Sequence, residues 1–133
     1  MQTKFNTPLI PVSWGELIDK VTILEIKASN ISLPLALVNI QKELCYLNAL
    51  LKENDGVLVL IDELKTSLWD VNLKLWKIED DIRDKESKKE FDDEFIKLAR
   101  AVYHLNDERA KLKKAINQLL LSELVEEKSY KKF

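Results

Sequence analysis

Val57, Ile61, Leu64, Leu68, Val71, Leu75, Ile78 and Ile82 follow one another at steps of four and three without a break. A helix of 3.6 residues per turn gathers such positions into one stripe, and a strand does not. A seam sustained over 26 residues commits the middle of the chain to a long helix that packs in coiled-coil fashion on a neighbour. The rest of the chain agrees. Gly and Pro fill 5 of 133 positions, about a third of their average share, which leaves too few turn residues for a strand-rich fold. The expectation is an all-α single domain over residues 1–133: an antiparallel bundle of about four helices with a long C-terminal helical hairpin.

Residues 1–12 read as an extended lead-in interrupted by Pro8 and Pro11 and docked by Leu9, Ile10 and Val12. Ser13-Trp14-Gly15-Glu16 fits a capping box, with Glu16 reaching back to the Ser13 amide. A first helix follows with its stripe at Leu17, Val21, Leu24, Ala28 and Ile31. Pro34 opens a second, with Leu37, Ile40, Leu44, Leu47 and Leu51, and Gly56 ends it. The seam helix starts at Val57, and Lys85–Lys89 is the expected turn. A fourth helix then carries Phe91, Phe95, Leu98, Val102, Leu105, Leu112, Ile116 and Leu119. Lys85–Lys89 holds neither Gly nor Pro, so one helix running through it is the alternative. Residues 122–133 form a polar tail, expected to fray over 128–133.

Helix lengths suggest what such a bundle leaves open. The first two helices run roughly 27–30 Å and the last two roughly 45–50 Å, so the short pair covers only half of the hairpin. The seam around Ile78, Ile82, Phe91 and Phe95 then stays exposed, and Trp69, Leu73 and Trp76 add a second stripe that serves either core packing or an interface. A homodimer, or a docked partner helix, would cover these residues.

Charge narrows the partners. Lys and Arg total 21 against 23 Asp and Glu, and only three of the cations are Arg. Neither nucleic acid nor an anionic membrane is favoured by that balance, and no apolar run is long enough to span a bilayer. With no signal-peptide pattern and Cys45 as the only cysteine, the expected compartment is the cytoplasm, without an internal disulfide. Cys45 reads as a small buried hydrophobe. His104 has no metal-binding companion, Gly15 and Gly56 build no phosphate loop, and no cofactor is implied.

Arg109 is the most informative residue, because it occupies a slot of the apolar stripe. Folding the hairpin about residue 89 sets it level with Trp69, with Asp70 one residue on. It is a snorkelling side chain, half of a buried ion pair, or an anion-binding group in a pocket. Glu16-x-x-Asp19 and Glu90-x-x-Asp93 have the spacing by which all-α nucleotide pyrophosphatases hold Mg²⁺, a spacing common in any acid-rich helix. Helical chorismate mutases need cationic side chains converging between helices, for which Arg109, Arg100 and Lys20 are the available groups.

Pro11-Val12-Ser13-Trp14-Gly15-Glu16-Leu17-Ile18-Asp19-Lys20-Val21-Thr22-Ile23-Leu24-Glu25-Ile26-Lys27, Trp76 to Arg83, Phe91 to Tyr103, Asn106 to Ala110 and Glu126 to Tyr130 together resemble a family of small bacterial and phage-encoded helical proteins with a domain of unknown function. The resemblance implies a compact helical domain, sometimes appended to larger proteins and loosely associated with sugar-transfer enzymes. It supplies no activity. Its motifs place Glu16, Asp19, Lys20, Glu79, Asp80, Arg83, Arg100, Tyr103, Asp107 and Arg109 as the candidate lining of a polar pocket between helices. Two functions follow as expectations: a non-enzymatic interaction module that is a homodimer through the long hairpin, or a small-anion or sugar-phosphate binding protein or enzyme with its site built on Arg109, Arg100 and Arg83.

Overall fold

The computed structural model describes residues 2–133. It holds five helices and, among these residues, no strand: α1 (Trp14–Asn30), α2 (Pro34–Glu53), α3 (Val57–Leu60), α4 (Asp62–Ser87) and α5 (Asp93–Leu119). Helix α1 packs on α2, α4 and α5, and α4 pairs with α5 as the long hairpin. The central position of α1 follows from its sequence, which buries two stripes. One is Leu17, Val21 and Leu24; the other is Gly15, Asp19, Thr22 and Ile26. A helix buried on two sides must have more than one neighbour.

The expected joints are present, with shifts that have physical causes. Gly56, at φ 90°, ends the second helix. The seam then bends once, because Ile61 leaves helical geometry at φ −103° and ψ 9°, and the first four residues stand as the separate short α3. The seam passes through this bend, for Ile61 is completely buried. The hairpin turns rather than running through. α4 continues to Ser87, and Lys89 takes φ 57° while its amide reaches the Glu86 carbonyl and the Glu90 amide the Lys85 carbonyl. Those two bonds make a Schellman motif with lysine in the left-handed place usually held by glycine. The turn is centred on residue 90, so Arg109 falls opposite the turn around Asn72 rather than Trp69.

α5 closes the same way. Leu121 adopts φ 51°, and the Leu121 and Ser122 amides bond the Gln118 and Asn117 carbonyls. This reversal sends the tail back along α5. Residues 128–133, expected to fray, end with the Phe133 ring against Tyr103 and His104 at centroid distances of 4.9 and 4.7 Å.

The core comprises Leu17, Ile18, Val21, Leu51, Ile61, Leu68 and Ile116, near the open end of the hairpin. Toward the hairpin tip the seam is only half-buried at Leu75, Ile78 and Ile82, as the mismatch of helix lengths requires. The lead-in is not docked: Leu9 is 94% exposed and Ile10 76%. No helix of the described residues is long and apolar enough to cross a membrane.

Replacing Lys89 with glycine removes the Cβ strain of a left-handed residue in an exposed turn. Lys89→Gly is expected to stabilise the fold by about 0.5–1 kcal/mol in urea denaturation, whereas Lys88→Gly, in right-handed geometry, is expected to destabilise it.

Candidate functional site

The start of α1 is fixed against α5 by small residues and capping groups. The Glu16 amide donates to Ser13 Oγ at 3.1 Å, the Gly15 amide to Asn117 Oδ1 at 2.6 Å, and the Trp14 amide to Ser122 Oγ at 3.2 Å. Three amides that a helix start leaves open are thereby satisfied from within the chain. Gly15 is required for this approach, since a Cβ there would collide with the Lys113 carbonyl oxygen. Glu16 does not complete a capping box. Its carboxylate turns instead to Lys113 Nζ, 2.7 Å away.

One turn further along α1, Asp19 is 1% exposed. Its Oδ1 accepts from Asn72 Nδ2 of α4 and Arg109 Nε of α5, each at 2.9 Å, and its Oδ2 accepts from Arg109 Nη2. Asn72 Nδ2 donates also to Thr22 Oγ1 at 2.9 Å, and Thr22 Oγ1 to the Asp19 carbonyl at 2.7 Å. The bidentate contact of Arg109 holds its guanidinium above its ordinary range despite partial burial. Arg109 is thus half of a buried ion pair, with Asp19 as its partner. Asp70 stays exposed.

Lys113, one turn from Arg109, bridges to the tail. Its Nζ lies 2.7 Å from Glu16, 2.8 Å from Glu126 and 3.9 Å from Asp19. Burial pulls its pKa down, but hydrogen bonds to Glu126 and Glu16 and the nearby Asp19 charge outweigh that and leave it raised. Glu126 is lowered by its bond to Lys113, against a smaller opposing effect of burial. Among the described residues every buried side-chain nitrogen and oxygen has a partner.

A groove of about 370 Å³ runs between α1 and α4 beyond this network. Ile23, Ile26, Leu75 and Trp76 give it an apolar lining; Glu79, Asp80, Arg83 and Arg109 also border it. Arg83 is already paired with Glu79 at 3.1 Å. The remaining members of the candidate pocket lie elsewhere. Lys20 pairs with Glu43 of α2 at 2.7 Å. Arg100 Nε donates to the Tyr103 hydroxyl at 3.3 Å, while Tyr103 and Asp107 line a cleft beneath the returning tail. The ten residues therefore form three groups: the Asp19 network, the α1–α4 groove and the tail cleft, with Lys20 apart. Among the described residues no group of three or more His, Cys, Asp or Glu side chains is arranged to hold a metal ion.

The interface candidates are mostly half-covered: Trp69, Trp76, Ile78, Ile82 and Phe95 are half-buried, and only Phe91, edge-on to Phe95, is exposed. Cys45, expected in the core, is exposed. It belongs to an outward stripe of α2 formed by Leu35, Val38, Lys42, Cys45 and Ala49 at steps of three and four. That spacing was available in the sequence as a second stripe on the helix. Asn72, Lys113, Asn117 and Ser122 carried no such signal, for their roles arise only when α1, α4 and α5 meet.

Two outcomes are expected. Arg109→Met leaves the Asp19 carboxylate buried without its bidentate partner, a loss of about 3–5 kcal/mol by urea denaturation. In a double-mutant cycle with Asp19→Asn, the pair should couple by about 2 kcal/mol. The tail contact should depend on pH. Glu126 has its pKa lowered on folding, so its contribution is present above the ordinary value of 4.5 and lost as pH falls through the lower folded value. Lys113 is raised, so its contribution holds below 10.5 and is lost as pH climbs through the higher folded value. In NMR spectra the Phe133 ring contacts with Tyr103 and His104 should weaken at the acid limit before the helical circular dichroism falls.

No curated protein and no solved structure matches the chain. A family profile matches residues 9–133, from the exposed Leu9 through the Asp19 network to the end of the tail, and by it the chain belongs to a family of unknown function, DUF6165.

Proposed function

We propose that this chain is a non-enzymatic helical interaction module of the cytoplasm that works as a homodimer. The observation that carries this reading is the outer face of α2 and α3. Helix α2 buries only Ile40 and Leu51, whereas Leu35 is 82%, Val38 60% and Tyr46 65% exposed, and α3 adds Val59 at 83%. Leu50, Leu58 and Leu60 are exposed as well, and a second copy laid on this face would cover apolar side chains that the fold itself leaves open. The stripe Leu35, Val38, Lys42, Cys45 and Ala49 has the heptad spacing of a coiled-coil seam, and its small residues Cys45 and Ala49 permit close helix approach. Two copies of α2 packed antiparallel would also set opposite ends of their helix dipoles together. An exposed lone thiol suits a reducing compartment.

The anion-site reading has one observation in its favour, that Arg83 and Arg109 border the same groove. The carboxylates weigh against it. Glu79 is bonded to Arg83, Asp19 to Arg109, and Asp80 stands at the edge. A phosphate would meet three acids with two cations already engaged. Arg100 lies outside the groove and does not add to it.

Light scattering on the eluting protein at tens of micromolar should give twice the mass of one chain. Val38→Glu, on an exposed position, should give a monomer with unchanged helical circular dichroism. A wild-type monomer at that concentration overturns the proposal.

A further inference from the structure

The lead-in joins an unpartnered apolar segment to a chemistry that the rest of the molecule complements. Residues 2–13 contain no turn or bend, so residues 2–12 form an arm of roughly 35 Å at extended spacing. Phe5 is 83% exposed, Leu9 94% and Ile10 76%. Within it, Pro8-Leu9-Ile10-Pro11 places two prolines three apart, which favours the polyproline II conformation. Segments of that kind dock in aromatic-lined grooves at low ordering cost, because the prolines have already fixed much of the backbone. The groove between α1 and α4 has that chemistry: Trp76 and Leu75 on one helix, Ile23 and Ile26 on the other.

Charge agrees with shape. Lys4 is the only charged side chain in residues 2–12. Glu79, Asp80, Arg83 and Arg109 border the groove; Arg83 is paired with Glu79 and Arg109 with Asp19, which leaves Asp80 as the bordering charge with no ion-pair partner among the described residues. A basic residue beside a proline-rich segment and a free carboxylate beside an aromatic groove are complementary. The arm's own groove is the wrong one. Ser13 is buried, extended and bonded to the Glu16 amide. Leu9 and Ile10 stay exposed and no residue before Ile23 lines the groove, so the arm is not seated in the groove of its own chain.

Building on the self-association reading, we infer that the Pro8-Leu9-Ile10-Pro11 segment of one copy docks in the α1–α4 groove of a second copy. Around a two-fold axis the contact occurs twice, each chain giving an arm and receiving one. Lys4 then meets Asp80 of the receiving chain.

The test uses full-length chains. In sedimentation, the double variant Leu9→Asp, Ile10→Asp should raise the dimer dissociation constant at least tenfold with helical circular dichroism unchanged, since neither side chain packs in the fold. Asp80→Lys should weaken the dimer similarly, and adding Lys4→Glu should recover part of the loss. In a Cys45→Ser background, an Ile10→Cys chain mixed with an Ile23→Cys chain should give a covalent heterodimer with a short bis-maleimide. If the arm variants leave the dissociation constant unchanged while Val38→Glu still yields monomers, the arm contact is overturned and self-association stands. Crosslinking within one chain carrying both cysteines, with none between chains, also overturns exchange. A monomeric wild type overturns both readings.

Discussion

A carboxylate in the middle of the central helix sets the terms for the rest of the structure. Asp19 is 1% exposed, and an unpaired charge so placed would be strongly destabilising. It is tolerated because α4 supplies Asn72 and α5 supplies Arg109, both at 2.9 Å from the same oxygen. Those partners reach it only when three helices sit in one register. Apolar stripes alone would tolerate a slide by one turn; a buried bidentate contact would not. The same logic continues one turn away, where Gly15 admits the α5 backbone and Asn117 caps the amide exposed there. The polar interior therefore works as the register of the bundle, with the Leu and Ile side chains supplying the burial.

How far this was legible in the sequence depended on the range of the interaction. Ser13 as a helix cap, Gly56 as a stop and the seam from Val57 to Ile82 are local or periodic, and each is found where the pattern places it. Lys89 and Leu121 take left-handed turns without glycine, so a reader looking for glycine finds no stop at either. The turn centre at residue 90 instead of 89 then moves Arg109 from Trp69 toward Asn72. Arg109 was recognisable as a charge in an apolar slot, but Asp19 is ninety positions away and nothing in spacing links the two. Glu16 shows the opposite error. Local spacing offered it the Ser13 amide, and Lys113, from the far end of the chain, took it. A second stripe on α1, Gly15-Asp19-Thr22-Ile26, was the signal that both faces of this helix would be buried.

The outward surfaces follow from the same economy of neighbours. Helix α1 takes contacts from α2, α4 and α5, and this leaves α2 with one main partner for two apolar stripes. Its inner stripe, through Ile40 and Leu51, joins the core, and its outer stripe has none to join. The long hairpin projects beyond the short pair for a related reason, so Leu75, Ile78 and Ile82 are only half-buried. Apolar surface left open for reasons of length and topology is what a second chain can cover without any change in the fold.

The buried network also bears on where function resides. To serve an anion, Arg109 would have to give up contact with Asp19, leaving a buried carboxylate with Asn72 and a lysine 3.9 Å away. Removing one partner of a buried pair costs about 3–5 kcal/mol, and a phosphate would also approach Glu79 and Asp80 at the groove. Ligand binding would have to exceed that loss before any net affinity appeared. The groove's apolar lining, in contrast, is available without breaking a bond. Trp76, Leu75, Ile23 and Ile26 offer contact to an uncharged or weakly basic guest, and the free Asp80 favours a cation over an anion. Of the polar residues that first suggested a binding pocket, Glu16, Asp19 and Arg109 thus tie α1 to α5, and the proposed self-association draws instead on apolar side chains that the bundle leaves uncovered.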